Sequence, residues 1–229
     1  MPLPVIAITN ASTCLTDAQV EAVLPALQKQ VSNDFKSYWD EDCTLTFLSK
    51  NELLTKGWWQ IVVVDDPDQA GALGYHELSS TGTPMGKTFA GLDIRNGSSW
   101  TVTLSHELLE MIADPWINWC AVGSDKRVYA LEACDPVESD ALGYEIDGVL
   151  VSNFVTPRWF EPTCADRIDF RQHLTRELEL GAGGYVSLFD PSRGWGQLTA
   201  KGEGGPTIVP GSRRQRRTLE RKLWRSSVR

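Results

Sequence analysis

The sequence has no hydrophobic run of about 18 or more residues, so a membrane-spanning helix is not expected. Its first eight residues are apolar but are not preceded by a basic segment, and they continue into a predicted strand, so a secretion signal is not expected. The five cysteines contain no C-x-x-C pair and are odd in number, which argues against a disulfide framework or a zinc knuckle. One disulfide bridge is still compatible with five cysteines. These features favour a reducing compartment.

The overall composition is that of an ordinary globular protein. The chain has 229 residues, of which 41% are hydrophobic and 23% are charged. This length is enough for one sizeable core, or for one domain with a small appendage.

Charge is unevenly distributed along the chain. Residues 212–229 carry a net charge of +7, whereas the other 211 residues carry −15. An acidic body with a basic tail suggests that the tail binds an acidic protein surface or nucleic acid, although a solvated tail has the same composition. The tail residues expected to contact such a partner are Arg213, Arg214, Arg216, Arg217, Arg221, Lys222 and Trp224.

Hydrophobic periodicity predicts a mixture of helices and strands. The Thr16–Gln19 spacing fits a capping box, and apolar residues follow at steps of three and four, which predicts a helix ending near Trp39. Pro25 predicts a kink or a split in that helix. Asp147-Gly148 predicts a two-residue hairpin turn. Strands are predicted at residues 3–9, 43–48, 58–64, 71–78, 87–94 and 128–133.

A second helix, beginning near Trp100 and ending before Pro115, carries the residues with the clearest chemistry. His106 and Glu110 are four residues apart, so their side chains leave the same face of the helix. Glu107 is offset by about 100°. In the H-E-x-x-H arrangement this offset lets two residues hold a metal while the glutamate acts as a general base, and a carboxylate at the second position can also bind zinc.

The third ligand has to come from elsewhere in the chain. Four further carboxylates follow in the chain, those of Asp114, Glu132, Asp135 and Glu138. Glu132 is preferred because the chain can turn back before it, and Asp135 and Asp114 are the alternatives. His76, in a predicted strand, and His173 are further potential ligands. His-Glu pairs also occur in helices without metals, but charges inside an apolar helix need partners, which favours zinc or another divalent cation.

The order of elements around this helix resembles the zincin-like metallopeptidase fold, in which an edge strand lies over the cleft and the His-Glu helix runs beneath it. The segments SHELLEMIADP, ALEACDPVE and VSNFVTPRWF are also similar to proteins of tailed bacteriophages. The resemblance implies an α+β chain: a zincin-like domain over residues 1–118 with a mixed twisted sheet, a β-rich lobe over 119–200 that completes the cleft, and a linker with the basic tail over 201–229.

Two functions follow from this resemblance. The sequence departs from the zincin pattern, because Glu110 replaces the second histidine and Trp116 occupies the position of a metzincin's third histidine. The departure favours a structural or assembly protein of a virion, in contact with other virion proteins in a symmetric assembly, located in the virion or the host cytoplasm. The alternative is a metal-dependent hydrolase of the peptidase class with Glu107 as general base.

Overall fold

The computed structural model describes residues 2–69, 71–123, 125–161 and 167–200, together with the backbone of 207–208. Over these residues the chain is an α+β protein with several sheets and few helices. The predicted linker and basic tail lie outside the described residues, apart from that two-residue strand.

Two of the helices are long enough to organise the fold, and the rest are short. The helices are α1 (Asp17–Lys29), which continues through a π-helical segment (Gln30–Phe35) into α2 (Lys36–Trp39), then α3 (Ala90–Asn96), α4 (Trp100–Ala113) and α5 (Pro157–Phe160). The strands are β1 (Val5–Asn10), β2 (Thr44–Leu48), β3 (Trp59–Val64), β4 (Gly74–Leu78), β5 (Pro84–Phe89), β6 (Cys120–Val122), β7 (Val128–Ala130), β8 (Tyr144–Ile146), β9 (Val149–Val151), β10 (Tyr185–Asp190), β11 (Gly194–Thr199) and β12 (Thr207–Ile208).

The first sheet has the strand order β2-β1-β3-β5-β4. Its first four strands are parallel, and β4 pairs antiparallel with β5 at the edge. Helix α4 packs against β4, β5 and the β8–β9 hairpin. A second, antiparallel sheet has the order β12-β11-β10-β7-β6. The edge strand β4 and helix α4 are therefore neighbours, which positions the candidate site.

The predicted capping box is present at the start of α1. The Thr16 hydroxyl accepts a hydrogen bond from the backbone of Gln19, whose side chain in turn accepts one from the backbone of Thr16. The predicted split at Pro25 is wrong, because α1 continues to Lys29, and the change to π-helical geometry lies five residues later. There the buried Gln30 amide donates to the Ser152 carbonyl at 2.8 Å, which ties the segment to the chain beyond β9.

The predicted strand at residues 87–94 is half wrong. Strand β5 ends at Phe89, and residues 90–96 form α3, which Gly97 terminates in the left-handed conformation at φ 74°. The hairpin prediction at Asp147-Gly148 is confirmed, with φ values of 52° and 80° that a type I′ turn requires.

The larger hydrophobic core is shared by the two predicted segments of the chain. Sheet residues such as Ile6 and Ile61 and helix residues such as Leu108 pack in it together with Cys134 and Phe154. A second core, centred on Trp159, lies with the second sheet. The chain on either side of residue 118 thus contributes to one core, which fixes the segment after β7 against α4. In the described part of the chain, no helix combines the length and the apolar character that crossing a membrane requires.

One buried carboxylate in this frame carries a pH prediction. Asp93 of α3 is fully buried, and burial together with the nearby charge of Asp140 raises its pKa to about 7, although the Thr103 hydroxyl opposes the rise. The folded state therefore keeps a proton that the unfolded state has lost, so stability falls as the pH rises from about 4 to about 7. We expect Asp93→Asn to raise the free energy of unfolding at pH 8 by on the order of 2 kcal/mol, and by less at pH 4.

Urea unfolding of the two proteins at both pH values measures this effect. The matched control is Asp66→Asn, which changes an exposed carboxylate paired with Arg95 and is expected to leave the pH dependence unaltered. An equal or lower stability of Asp93→Asn at pH 8 contradicts the prediction.

Candidate metal centre

Helix α4 presents three ionisable side chains to the interior of the protein. His106, Glu107 and Glu110 have 8%, 6% and 2% of their surface exposed, respectively. The helix forms because an extended Ser99 precedes a run of apolar residues, and it ends where Asp114 precedes Pro115. Buried charges of this kind require compensating partners, and two groups of residues provide them.

The first group contains His106, Glu110 and Asp135. The first two are the ligands predicted on the helix, and Asp135 is one of the residues predicted as a third ligand. His106 Nε2 lies 3.4 Å from Glu110 Oε1 and 3.3 Å from Asp135 Oδ1. Asp135 belongs to a 3-10 turn that follows the second sheet's strand β7. The turn brings the carboxylate back over α4.

The second group contains His76, Glu110 and Glu132. His76 Nδ1 lies 3.7 Å from Glu110 Oε2, and its Nε2 lies 3.7 Å from Glu132 Oε2. The same Nδ1 is 3.4 Å from Glu107 Oε2. His76 is carried by the edge strand β4, so three separate elements converge on this group.

Glu110 belongs to both groups, and the backbone holds its carboxylate in place. The N–H groups of Cys134 and Asp135 donate to Oε1 at 3.0 and 3.2 Å. Burial alone would raise the pKa of Glu110, but the imidazoles of His106 and His76 and these hydrogen bonds lower it to about 2. Glu110 is therefore a fixed anion between two histidines.

The surrounding groups have shifted proton affinities as well. Burial would lower the pKa of His106, but Glu110 and Asp135 raise it well above its usual value. Burial and the charge of Glu110 raise the pKa of Asp135 to about 6, against the effect of His106. Burial and Asp135 raise the pKa of Glu138 to about 7. The cluster therefore takes up protons, and a divalent cation is an alternative to them because metal binding displaces protons from its ligands.

A cleft of about 760 Å³ opens beside the first group. It lies between β4, α4, residues 135–140 and the β10–β11 hairpin. His106, Glu107, Glu110 and Asp135 line it, whereas His76 and Glu132, both within the described residues, do not. The second group is therefore behind the first one as seen from the cleft.

Glu107 reaches the cleft because the edge strand has no side chain in its way. A Cβ atom on Gly74 of β4 would lie 2.9 Å from Glu107 Cγ and from the Lys87 carbonyl oxygen. Such contacts are closer than side chains tolerate, so the glycine permits helix α4 and the strand to approach each other.

The structure places the predicted ligands differently from the order of preference given by the sequence. Asp135 joins His106 and Glu110, while the preferred Glu132 joins Glu110 on the side of His76. Asp114 is in neither group: its carboxylate accepts hydrogen bonds from the N–H groups of Asn118 and Trp119, both at 3.0 Å. The helix ends there, and the side chain turns to the following loop.

Three residues near the two groups were missed or undervalued. His76 was only a secondary possibility, and spacing along the chain gives no sign that β4 faces α4. Glu138 follows Asp135 by three residues and lines the cleft. Tyr185 of β10 lines the cleft together with Asp135, and no feature of the sequence points to it. His173 is exposed and belongs to neither group.

The donor sets fit a divalent cation of the zinc or manganese type. Both groups combine an imidazole with two carboxylates, which is a common ligand set for such ions. Ligand atoms of a tetrahedral zinc with bonds of about 2.0–2.2 Å are about 3.3–3.6 Å apart. The separations in the first group, 3.3 and 3.4 Å, fall in this range.

Comparisons of this chain with protein-family models, with curated proteins and with solved structures find no match. The geometry of the centre is therefore the basis for assigning a function.

Proposed function

We propose that the chain is a divalent-cation-dependent hydrolase of the peptidase class, built on a zincin-like domain. The observation that carries this proposal is the position of Glu107, which lines the same cleft as His106, Glu110 and Asp135. A potential general base, a potential cation site and a space for substrate thus adjoin each other.

The arrangement of elements supports the zincin-like part of the proposal. An edge strand, β4, lies beside the helix that carries the His-Glu motif, and the cleft opens between them. This is the relation that the resemblance predicted between the edge strand and the helix. The Glu110 carboxylate replaces the second histidine of the zincin motif and still faces His106.

In this assignment His106, Glu110 and Asp135 would hold the cation. When bound, such an ion polarises a carbonyl group and makes a water molecule more acidic. Glu107 would accept the proton of the attacking water and return it to the leaving amine, which is general base and general acid catalysis by one carboxylate. His76 Nδ1, 3.4 Å from Glu107 Oε2, would orient that carboxylate.

Cation dependence of turnover tests the proposal. The full chain is stripped with a chelator, reloaded with zinc or manganese, and assayed on peptide libraries and cell-wall peptides. We expect turnover only after reloading, and none from His106→Ala, because this variant lacks the one imidazole of the cleft-side group. His173→Ala, which removes an exposed histidine outside both groups, is expected to behave like the wild type. A stoichiometrically bound cation without hydrolysis of any of these substrates overturns the hydrolase assignment.

A second function is favoured by the charge distribution. The +7 of residues 212–229 against −15 elsewhere suits a tail that docks on an acidic neighbour, and we propose that such docking would build the domain into a virion, as the phage resemblance implies. Cation binding would then stabilise the fold rather than serve turnover.

Tail variants test this second function in an assembly assay. We expect deletion of residues 212–229 to abolish incorporation into particles. Replacement of the eight Lys/Arg residues by glutamine, with Trp224 kept, is expected to have the same effect if charge is what binds. Normal incorporation of both variants excludes tail docking.

A further inference from the structure

We propose that the centre binds two divalent cations, with a second site at His76, Glu110 and Glu132 and with Glu110 as the bridge between the two. The inference rests on the proposed function, since the first cation is that of the hydrolase. Its basis is the orientation of one carboxylate. Glu110 Oε1 lies 3.4 Å from His106 Nε2, and Glu110 Oε2 lies 3.7 Å from His76 Nδ1.

The second site is buried in the protein and is not a cluster of carboxylates on its surface. His76, Glu110 and Glu132 are 1%, 2% and 2% exposed, respectively. They come from the edge strand β4, from helix α4 and from the segment after β7, and their potential ligand atoms all lie within 4.8 Å of one another. Because each ligand is on a different element of the packed core, the site is pre-organised, as tight cation binding requires.

The printed contacts between His76 and these carboxylates are longer than charge-assisted hydrogen bonds. Charge-assisted N–H···O bonds are about 2.7–2.9 Å long. In the second group both ring nitrogens of His76 stay 3.4–3.7 Å from the carboxylate oxygens that face them. These separations are long for such hydrogen bonds. A cation would be bound by only one of the two ring nitrogens, and one potential ligand atom from each of the three residues lies within 4.8 Å of the others.

The charge of the combined centre also favours two cations. Four carboxylates, those of Glu107, Glu110, Glu132 and Asp135, face the two imidazoles of His76 and His106. With all carboxylates ionised the set carries −4, and protonation of both imidazoles still leaves −2. A single divalent cation leaves −2 when the imidazoles are neutral, as ligands must be. Two cations neutralise the set.

The two sites would have different roles. The first one lines the cleft, and the second one lies behind it. The second cation would therefore act through residues: it would fix Glu110, and through His76 it would fix the position of Glu107. Two-metal hydrolase sites have their ions about 3.5–4 Å apart, which a bridging carboxylate can span.

Metal stoichiometry of the full-length chain tests the inference. After stripping, the protein is titrated with manganese and its bound metal is measured by mass spectrometry. We expect two equivalents for the wild type and for His173→Gln, and one equivalent for each of His76→Gln, Glu132→Gln and His106→Gln. Two variants of the second site are used so that misfolding of one, seen by circular dichroism, leaves the other. Electron paramagnetic resonance of the wild type, which needs no variant, is expected to show spin-coupled manganese.

Each remaining outcome decides against the inference in a distinguishable way. One equivalent in the wild type that persists in His76→Gln and is lost in His106→Gln overturns the second site and leaves the hydrolase assignment intact. Two equivalents with the spectrum of isolated manganese overturn the bridge. Binding of no cation overturns both proposals.

Discussion

Replacement of Glu107 by glutamine is expected to lower turnover by about 10²–10⁴-fold, the range that a positioned general base contributes. Glutamine keeps the size of the side chain, so it fits beside Gly74, where space is tight. It cannot accept a proton from water. Because Glu107 is in neither group of potential cation ligands, the bound metal is expected to remain at the wild-type level. Steady-state kinetics and metal analysis of the same preparation measure both quantities.

Glu138→Gln is the matched control for this variant. Glu138 lines the same cleft as Glu107, and like Glu107 it is outside both groups. The substitution of glutamate by glutamine is the same in both variants. Glu138→Gln is expected to retain most of the turnover. A Glu107→Gln protein with wild-type turnover, or one that loses its metal together with its activity, excludes Glu107 as the base.

The local features of the site were predictable from sequence because they depend on spacing along one helix. His106, Glu107 and Glu110 project from α4 as the periodicity requires, and the predicted end of the helix before Pro115 is confirmed. Asp114 shows the limit of that reasoning. Helical spacing gives no direction for its side chain, because its φ of −135° and ψ of 72° leave the helical region and turn the carboxylate to the next loop.

The non-local part of the site could not be predicted because it depends on how separate elements pack. Glu132 and Asp135 are three residues apart in a segment without regular periodicity, so spacing could not decide which of them would face His106. A short 3-10 turn decides it, with Asp135 on the cleft side. To recognise His76 as part of the site, one must know that β4 pairs antiparallel at the edge of the sheet and packs on α4. Neither the pairing of β4 nor its packing on α4 can be inferred from the local sequence pattern.

Glu110→Gln is expected to have the widest effect, because Glu110 is shared by both groups. Glutamine retains a carbonyl oxygen for the N–H groups of Cys134 and Asp135, so the local fold is kept. It lacks the negative charge that faces His76 and His106 and that a bridging ligand supplies. We therefore expect this variant to lose both equivalents of cation. The wild type should gain about 4 kcal/mol of stability for each occupied site at a free cation concentration about 1,000 times the Kd, and the variant should gain almost none.

The variant is also expected to be less stable in the presence of a chelator, with a defined pH dependence. Removing one partner of a buried ion pair costs about 3–5 kcal/mol, because the other charge stays buried. The raised pKa of His106 gives stability that is fully present below its unfolded value near 6.5 and is lost as the pH rises through its folded value. The lowered pKa of Glu110 gives stability that is present above about 4.5 and is lost as the pH falls through about 2.

Both contributions are therefore present near pH 6, and the deficit of Glu110→Gln should be largest there and should shrink in alkaline solution. Urea unfolding with chelator at pH 6 and at higher pH measures it. Glu145→Gln, at an exposed position on β8, provides the control for the change from glutamate to glutamine. If Glu110→Gln is as stable as the wild type at pH 6 in the presence of chelator, the carboxylate of Glu110 does not stabilise the charge of His106. The two histidines would then not share an anion, and the bridge between the sites would lose its physical basis.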